Sequence, residues 1–145
     1  MEFMAHPSQQ EFNRLYKEMD DLYHEAALSL DLSDSALTIL YTICELGGGC
    51  LQKDICERSF LTKQTVHSSV RKLERDGFLR LESGKGRDMH LFLTEQGHAL
   101  AEKTVLPLSK AEYLALDALT PQEQSELIRL TEKYLAALRA QMRQF

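Results

Sequence analysis

The sequence predicts a mainly α chain with one small β-hairpin, and three observations carry that prediction. Long segments at both ends place apolar residues at three- and four-residue steps, the spacing of a helix with one apolar face. A polar, Thr-capped segment in the middle stops at Gly77 and runs directly into residues that alternate on either side of Ser83-Gly84-Lys85-Gly86. Ser33, Thr62, Thr94 and Thr120 each stand one residue ahead of a helical segment, where a side-chain oxygen satisfies the free N–H groups of a first turn.

Taken in order, the first helix is expected from about Gln9 to Leu30. Phe12, Leu15, Tyr16, Met19, Leu22, Tyr23 and Ala26 form its stripe, and residues 1–10 are expected to be disordered. The second helix follows Ser33, with Asp34 in the first turn. Its apolar face is Leu37, Leu40, Tyr41 and Cys44, and Gly47-Gly48-Gly49 stops it. A short third helix covers about Leu51 to Arg58, anchored by Leu51 and Ile55. Thr62 caps the fourth, which ends at Gly77. Phe78 to Glu82 reads as a strand, and Met89, Leu91 and Leu93 as the return strand. Thr94 caps a fifth helix running to about Leu116 and bent near Pro107. Thr120-Pro121-Gln122-Glu123 opens the sixth with a capping box and proline at the first helical position. Its stripe is Leu127, Leu130, Tyr134, Leu138 and Met142.

The 145 residues are read as one domain, 1–145, without repeats or linkers. The longest apolar runs are only a few residues, far short of a membrane span, and the start has neither a basic nor an apolar leader region. A cytoplasmic location is expected, with no membrane partner. Cys44, Cys50 and Cys56 are odd in number and lack Cys-x-x-Cys spacing, which argues against a disulfide framework and a zinc knuckle. They read as buried or half-buried small residues in a reducing compartment, with a redox-sensing thiol as the rival reading.

The net charge of −5 hides an uneven distribution. Residues 1–61 carry 4 basic and 11 acidic side chains, residues 62–90 carry 7 and 4, and residues 91–145 carry 6 and 7. Positive charge is therefore concentrated on the fourth helix and the hairpin. An acidic remainder limits salt-dependent, non-specific attraction to phosphates. On a wheel of the fourth helix, Val66, Val70 and Leu73 fall together and point inward. Lys63, Gln64, His67, Ser68, Arg71 and Arg75 form a separate polar arc. Gln can form paired bonds to adenine, and Arg or Lys to guanine. Thr62, Thr65 and Ser68 suit phosphate oxygens near a helix N-terminus. A solvated face is the plain alternative. The short helix before this arc and the basic hairpin after it instead complete a winged helix-turn-helix.

The same residues carry a family resemblance. Gln52-Lys53-Asp54-Ile55-Cys56-Glu57 resembles the short third helix of the MarR (multiple antibiotic resistance regulator) family. Leu61-Thr62-Lys63-Gln64-Thr65-Val66 through Lys72-Leu73-Glu74-Arg75-Asp76-Gly77-Phe78 resembles its recognition helix and exit. Leu93-Thr94-Glu95-Gln96-Gly97 resembles the Leu-Thr-x-x-Gly that closes the wing. The resemblance implies an obligate homodimer, a triangular α/β fold, and repression or activation relieved by a small ligand or by oxidation. Family wings commonly carry Asp-x-Arg nine and seven positions before the closing Thr; here those positions are Lys85 and Arg87, so the arginine is kept and the acid is a lysine.

The expected function is therefore a ligand-responsive repressor, a homodimer on a pseudo-palindromic operator in double-stranded DNA. Thr62, Lys63, Gln64, Thr65, His67, Ser68 and Arg71 are expected in the major groove and on phosphates, with Lys85 and Arg87 on the wing. The lobe of about 33–94 would bind DNA. Helices of about 9–30 and 95–145 would dimerise through Phe12, Leu15, Tyr16, Leu130, Tyr134, Leu138 and Met142. The competing readings are a protein-interaction module whose basic face binds an acidic partner, and a thiol-based redox regulator. Tyrosines and phenylalanines of the first two helices are candidates to line an effector pocket, with core packing as the alternative. No catalytic constellation, nucleotide loop or cofactor motif occurs. His6, His24, His67, His90 and His98 are scattered without His-x-x-x-His spacing, so no metal is expected.

Overall fold

The computed structural model describes residues 1–145. The chain divides into two compact units, Met1–Pro107 and Leu108–Phe145.

In the first unit, α1 (Pro7–Ser29) starts earlier than expected, and residues 7–10 are helical rather than disordered. Pro7 occupies the first helical position with its φ already set, and the His6 ring nitrogen accepts the Ser8 N–H at 3.1 Å. The helix ends as Leu32 N–H reaches back to the Ala27 carbonyl at 3.0 Å, with Asp31 in the left-handed region at φ 56°. Ala27 alone is buried on α1. Phe12, Leu15, Tyr16, Met19, Leu22 and Tyr23 stay exposed.

Helix α2 (Asp34–Leu46) is the centre of the core. Ser33 caps it by accepting the Ala36 N–H. Its buried residues are Leu37, Ile39, Leu40, Thr42 and Ile43. The expected face is therefore corrected in part: Tyr41 is half-buried and Cys44 is exposed. The reason is that α2 is packed by α1, by two further helices and by the sheet, so its buried arc is wider than one stripe and centred nearer Ile39 and Ile43. The buried Thr42 hydroxyl is satisfied by the Thr38 carbonyl at 2.7 Å.

A two-residue strand, β1 (Cys50–Leu51), follows the glycines and was not expected from the sequence. It leads into α3 (Gln52–Arg58), where the Asp54 carboxylate accepts the Leu51 N–H at 2.8 Å. Arg58 forks onto Glu45 at the end of α2, at 2.6 Å, and this bond holds the Glu45 carboxyl below the usual carboxylate range. Helix α4 (Lys63–Arg75) begins at the Thr62 cap and buries Val66, Val70 and Leu73, as the wheel required. A Ser69–Ser35 hydroxyl bond of 2.8 Å joins it to α2. Its exit closes with Gly77 at φ 85°, Gly77 N–H on the Glu74 carbonyl and Phe78 N–H on the Leu73 carbonyl.

Strands β2 (Leu79–Ser83) and β3 (Met89–Leu93) pair antiparallel, with Leu79 opposite Leu93 and Leu81 opposite Leu91. The sheet order is β1-β3-β2, so β3 is central, and Leu79 and Leu91 turn into the core. Helix α5 (Glu95–Asp117) begins in this unit, burying Ala101, Thr104 and Val105, and carries Pro107 within it.

The second unit holds the end of α5 and α6 (Pro121–Met142). The Thr120 cap and the Glu123 carboxylate satisfy one another's backbone N–H groups, completing the expected capping box. The Gln124 amide closes the turn by donating to the Leu116 and Leu119 carbonyls. No residue of α6 is buried, and Leu127, Leu130, Tyr134 and Met142 are exposed. No single helix in the chain is long and apolar enough to cross a membrane.

Candidate nucleic-acid interface

Burying Val66, Val70 and Leu73 forces the rest of α4 outward. Lys63, Gln64, His67, Ser68, Arg71, Lys72 and Arg75 are all exposed, while Thr65 is half-buried. The expected arc is thus continuous, but its members differ in how free they are. The Thr62 hydroxyl accepts the Thr65 N–H and donates to the Thr65 hydroxyl at 2.9 Å, so both threonines serve the cap first. Ser68 donates to the Thr65 carbonyl at 3.2 Å. Arg71 lies 3.2 Å from Glu74, one turn away, an exposed pair that leaves most of its guanidinium donors available. His67 Nδ1 sits 3.5 Å from the Gln52 amide of α3. Lys63 and Gln64 have no side-chain partner.

The wing tip is the loop 84–88. Gly84 N–H donates to the Asp88 carbonyl at 2.8 Å, and Asp88 N–H to the Lys85 carbonyl at 3.1 Å. The inner turn is therefore Lys85-Gly86-Arg87-Asp88, with Gly86 at φ 61°, a conformation a side chain would strain. Lys85 and Arg87 are exposed and unpaired at this tip. Arg80, counted among the basic residues of this region, is committed elsewhere: it pairs with Glu82 and lies over the Phe92 ring, 4.6 Å from its centre.

Sequence reasoning missed the contacts that hold the wing. Asp88 lies 3.8 Å from Lys53 of α3, and His90 Nδ1 donates to the Gly49 carbonyl at 2.8 Å. They join residues 35 and 41 positions apart, for which local pattern gives no signal. No group of three or more His, Cys, Asp or Glu side chains converges to hold a metal.

All three cysteines are free. Cys44 is exposed, and Cys50 and Cys56 are half-buried, so the reading of all three as at least half-buried holds for two. Desolvation by its neighbours pushes the Cys44 thiol up, although the residue as a whole is exposed. Burial, then the Asp54 carboxylate, pushes the Cys50 thiol up, which disfavours the reactive thiolate. An open cleft of about 600 Å³ is lined by Leu46, Gly48, Gly49, Cys50, Asp54, Glu57 and Arg58; none of the aromatic residues of α1 or α2 lines it.

A helical lobe that presents the polar face of its second short helix beside a three-stranded, hairpin-tipped sheet is a winged helix-turn-helix. A family model described as MarR family matches residues 30–87, the segment from the end of α1 to the wing tip. NMB1585, a MarR family regulator from Neisseria meningitidis, shares the fold at TM-score 0.81, with 19% identity over 94% of this chain and 97% of that one. The structure of S. aureus MepR in complex with DNA superposes at TM-score 0.69, with 22% identity over 94% of this chain and 99% of that one. Residues 30–87 are thus similar to the MarR family, and the fold of the chain is that of the winged-helix regulators it resembles. It is also similar to the iron-dependent repressor IdeR of Mycobacterium tuberculosis, 36% identical over 90 residues and 62% of this chain. The aligned region spans 37% of that relative's length.

Proposed function

We propose that this chain is a sequence-specific DNA-binding transcription regulator that acts as a homodimer on a pseudo-palindromic operator, most simply as a ligand-responsive repressor. The observation that carries this is the combination of an exposed polar face on α4, led by the unpartnered Lys63 and Gln64, with two free cations at the wing tip, Lys85 and Arg87. A helix of this kind fits the major groove, and a cationic hairpin fits the adjacent minor groove. The DNA complex of the similarly folded MepR supports the same use of the fold.

Dimerisation is supported by exposed apolar residues in each unit taken separately. In the first, Phe12, Leu15, Tyr16, Met19 and Leu22 line one side of α1; in the second, Leu130, Tyr134 and Met142 are exposed and Leu138 is half-buried. A monomer rarely exposes so much contiguous apolar surface. Repression is supported by the name of the IdeR relative. Its iron dependence belongs to that relative, of whose length the aligned region spans 37%, and is not part of this proposal. The effector in this proposal is a small molecule.

The test is selection of duplexes from a random pool by the purified protein, followed by binding in excess non-specific DNA. Enrichment of a two-fold-related site bound by two chains is the expected result. Binding that is equal for all duplexes and vanishes with competitor overturns it in favour of an acidic protein partner for the basic face.

A further inference from the structure

We propose that Lys53 and Asp88 form a tether that sets the position of the wing tip, and with it Arg87, for a duplex; this rests on the wing being a DNA contact. Asp88 is the last residue of the tip turn, and its backbone is held from both sides by the Gly84 N–H and the Lys85 carbonyl. Whatever fixes its side chain therefore fixes the turn that carries Lys85 and Arg87. Its carboxylate lies 3.8 Å from the Lys53 ammonium on α3, the helix packed against α4. The wing thus takes its bearing from the same two-helix unit that presents the reading face.

The pair has a second consequence. An unpaired carboxylate next to Arg87 would stand among the cations meant for phosphates and repel the duplex. Lys53 neutralises it. The base of the wing is fixed separately, by His90 on the Gly49 carbonyl. The tether acts on the tip beyond that point. Both side chains are partly exposed, so the pair adds little to overall stability. That separates positioning from folding: a variant can loosen the wing without unfolding the lobe.

The first measurement is amide hydrogen exchange of residues 84–88 in the free protein. Lys53→Met and Asp88→Asn should each speed exchange there by about two- to fivefold, the range an exposed pair commands. The double variant should be no faster than either single one. Lys53→Arg, and the charge swap Lys53→Glu with Asp88→Lys, should restore slow exchange. Unchanged exchange in both single variants, or fully additive effects, overturns the tether whether or not the protein binds DNA.

The second measurement is affinity for a selected duplex. Lys53→Met should weaken binding in the wild-type background and have little effect when Arg87 is already Ala. An equal loss in both backgrounds shows Lys53 acting on phosphate by itself and overturns the positioning role. If no duplex can be selected while the exchange results hold, the DNA reading has failed and the tether has not.

Discussion

Gly97, on the first turn of α5, lies directly against the carbonyl of Phe78. A Cβ at position 97 would overlap that oxygen, approach the carbonyl carbon to 3.1 Å and meet Leu93 Cδ2 at 3.3 Å. The neighbouring bonds show why the approach is so close. Thr94 donates its hydroxyl to the Gly77 carbonyl at 2.6 Å and its N–H to the Phe78 carbonyl at 3.1 Å, and it accepts the Gly97 N–H at 3.0 Å. One short segment therefore locks the exit of α4, the return of the wing and the start of α5 together.

Gly97→Ala should accordingly destabilise the fold by about 1–3 kcal/mol, because the obstacle is backbone and cannot rotate aside. Gly48→Ala is the matched control: its added Cβ meets only the Phe92 ring at an ordinary 3.8 Å. Urea denaturation compares the two. Equal stability of the two variants contradicts the account of the Thr94–Gly97 lock.

That lock shows what was and was not legible. Capping chemistry made Ser33, Thr62 and Thr120 visible as helix starts, and the structure uses each of them so. The wheel of α4 separated Val66, Val70 and Leu73 from the polar arc because the helix is packed on one side only. The same reasoning misplaced Cys44 and passed over Ile39 on α2, where neighbours pack around most of the helix. Strand β1 was missed because two residues give no alternation, and the Gly49 N–H reaches its partner, the Leu91 carbonyl, only through the fold. The Lys53–Asp88 and His90–Gly49 contacts stayed invisible for the same reason.

Truncation after Thr120 removes α6, none of whose residues is buried. The shortened protein should lose its partner and run as a monomer or aggregate through the uncovered apolar surface. Sedimentation or light scattering reads this directly. A soluble, dimeric truncated chain contradicts the proposed role of Leu130, Tyr134, Leu138 and Met142.

Replacing Cys44, Cys50 or Cys56 singly by Ser or Ala should leave DNA binding unresponsive to mild peroxide, as in the parent protein. The raised Cys44 and Cys50 thiols hold little thiolate at neutral pH. Release of DNA by the oxidised parent, abolished in one single variant, would make that cysteine a redox sensor.

In the proposed function, α4 reads bases while the wing senses the duplex generally. Fluorescence anisotropy across a salt series, on a selected operator and its point variants, separates the two. Arg87→Ala should weaken all sites alike, most with A·T-rich flanks, and make the salt dependence shallower by about one unit. Gln64→Ala should cost about 1–3 kcal/mol of discrimination at one base pair and leave the salt slope nearly unchanged. Equal, sequence-blind losses from both variants would contradict base reading by α4.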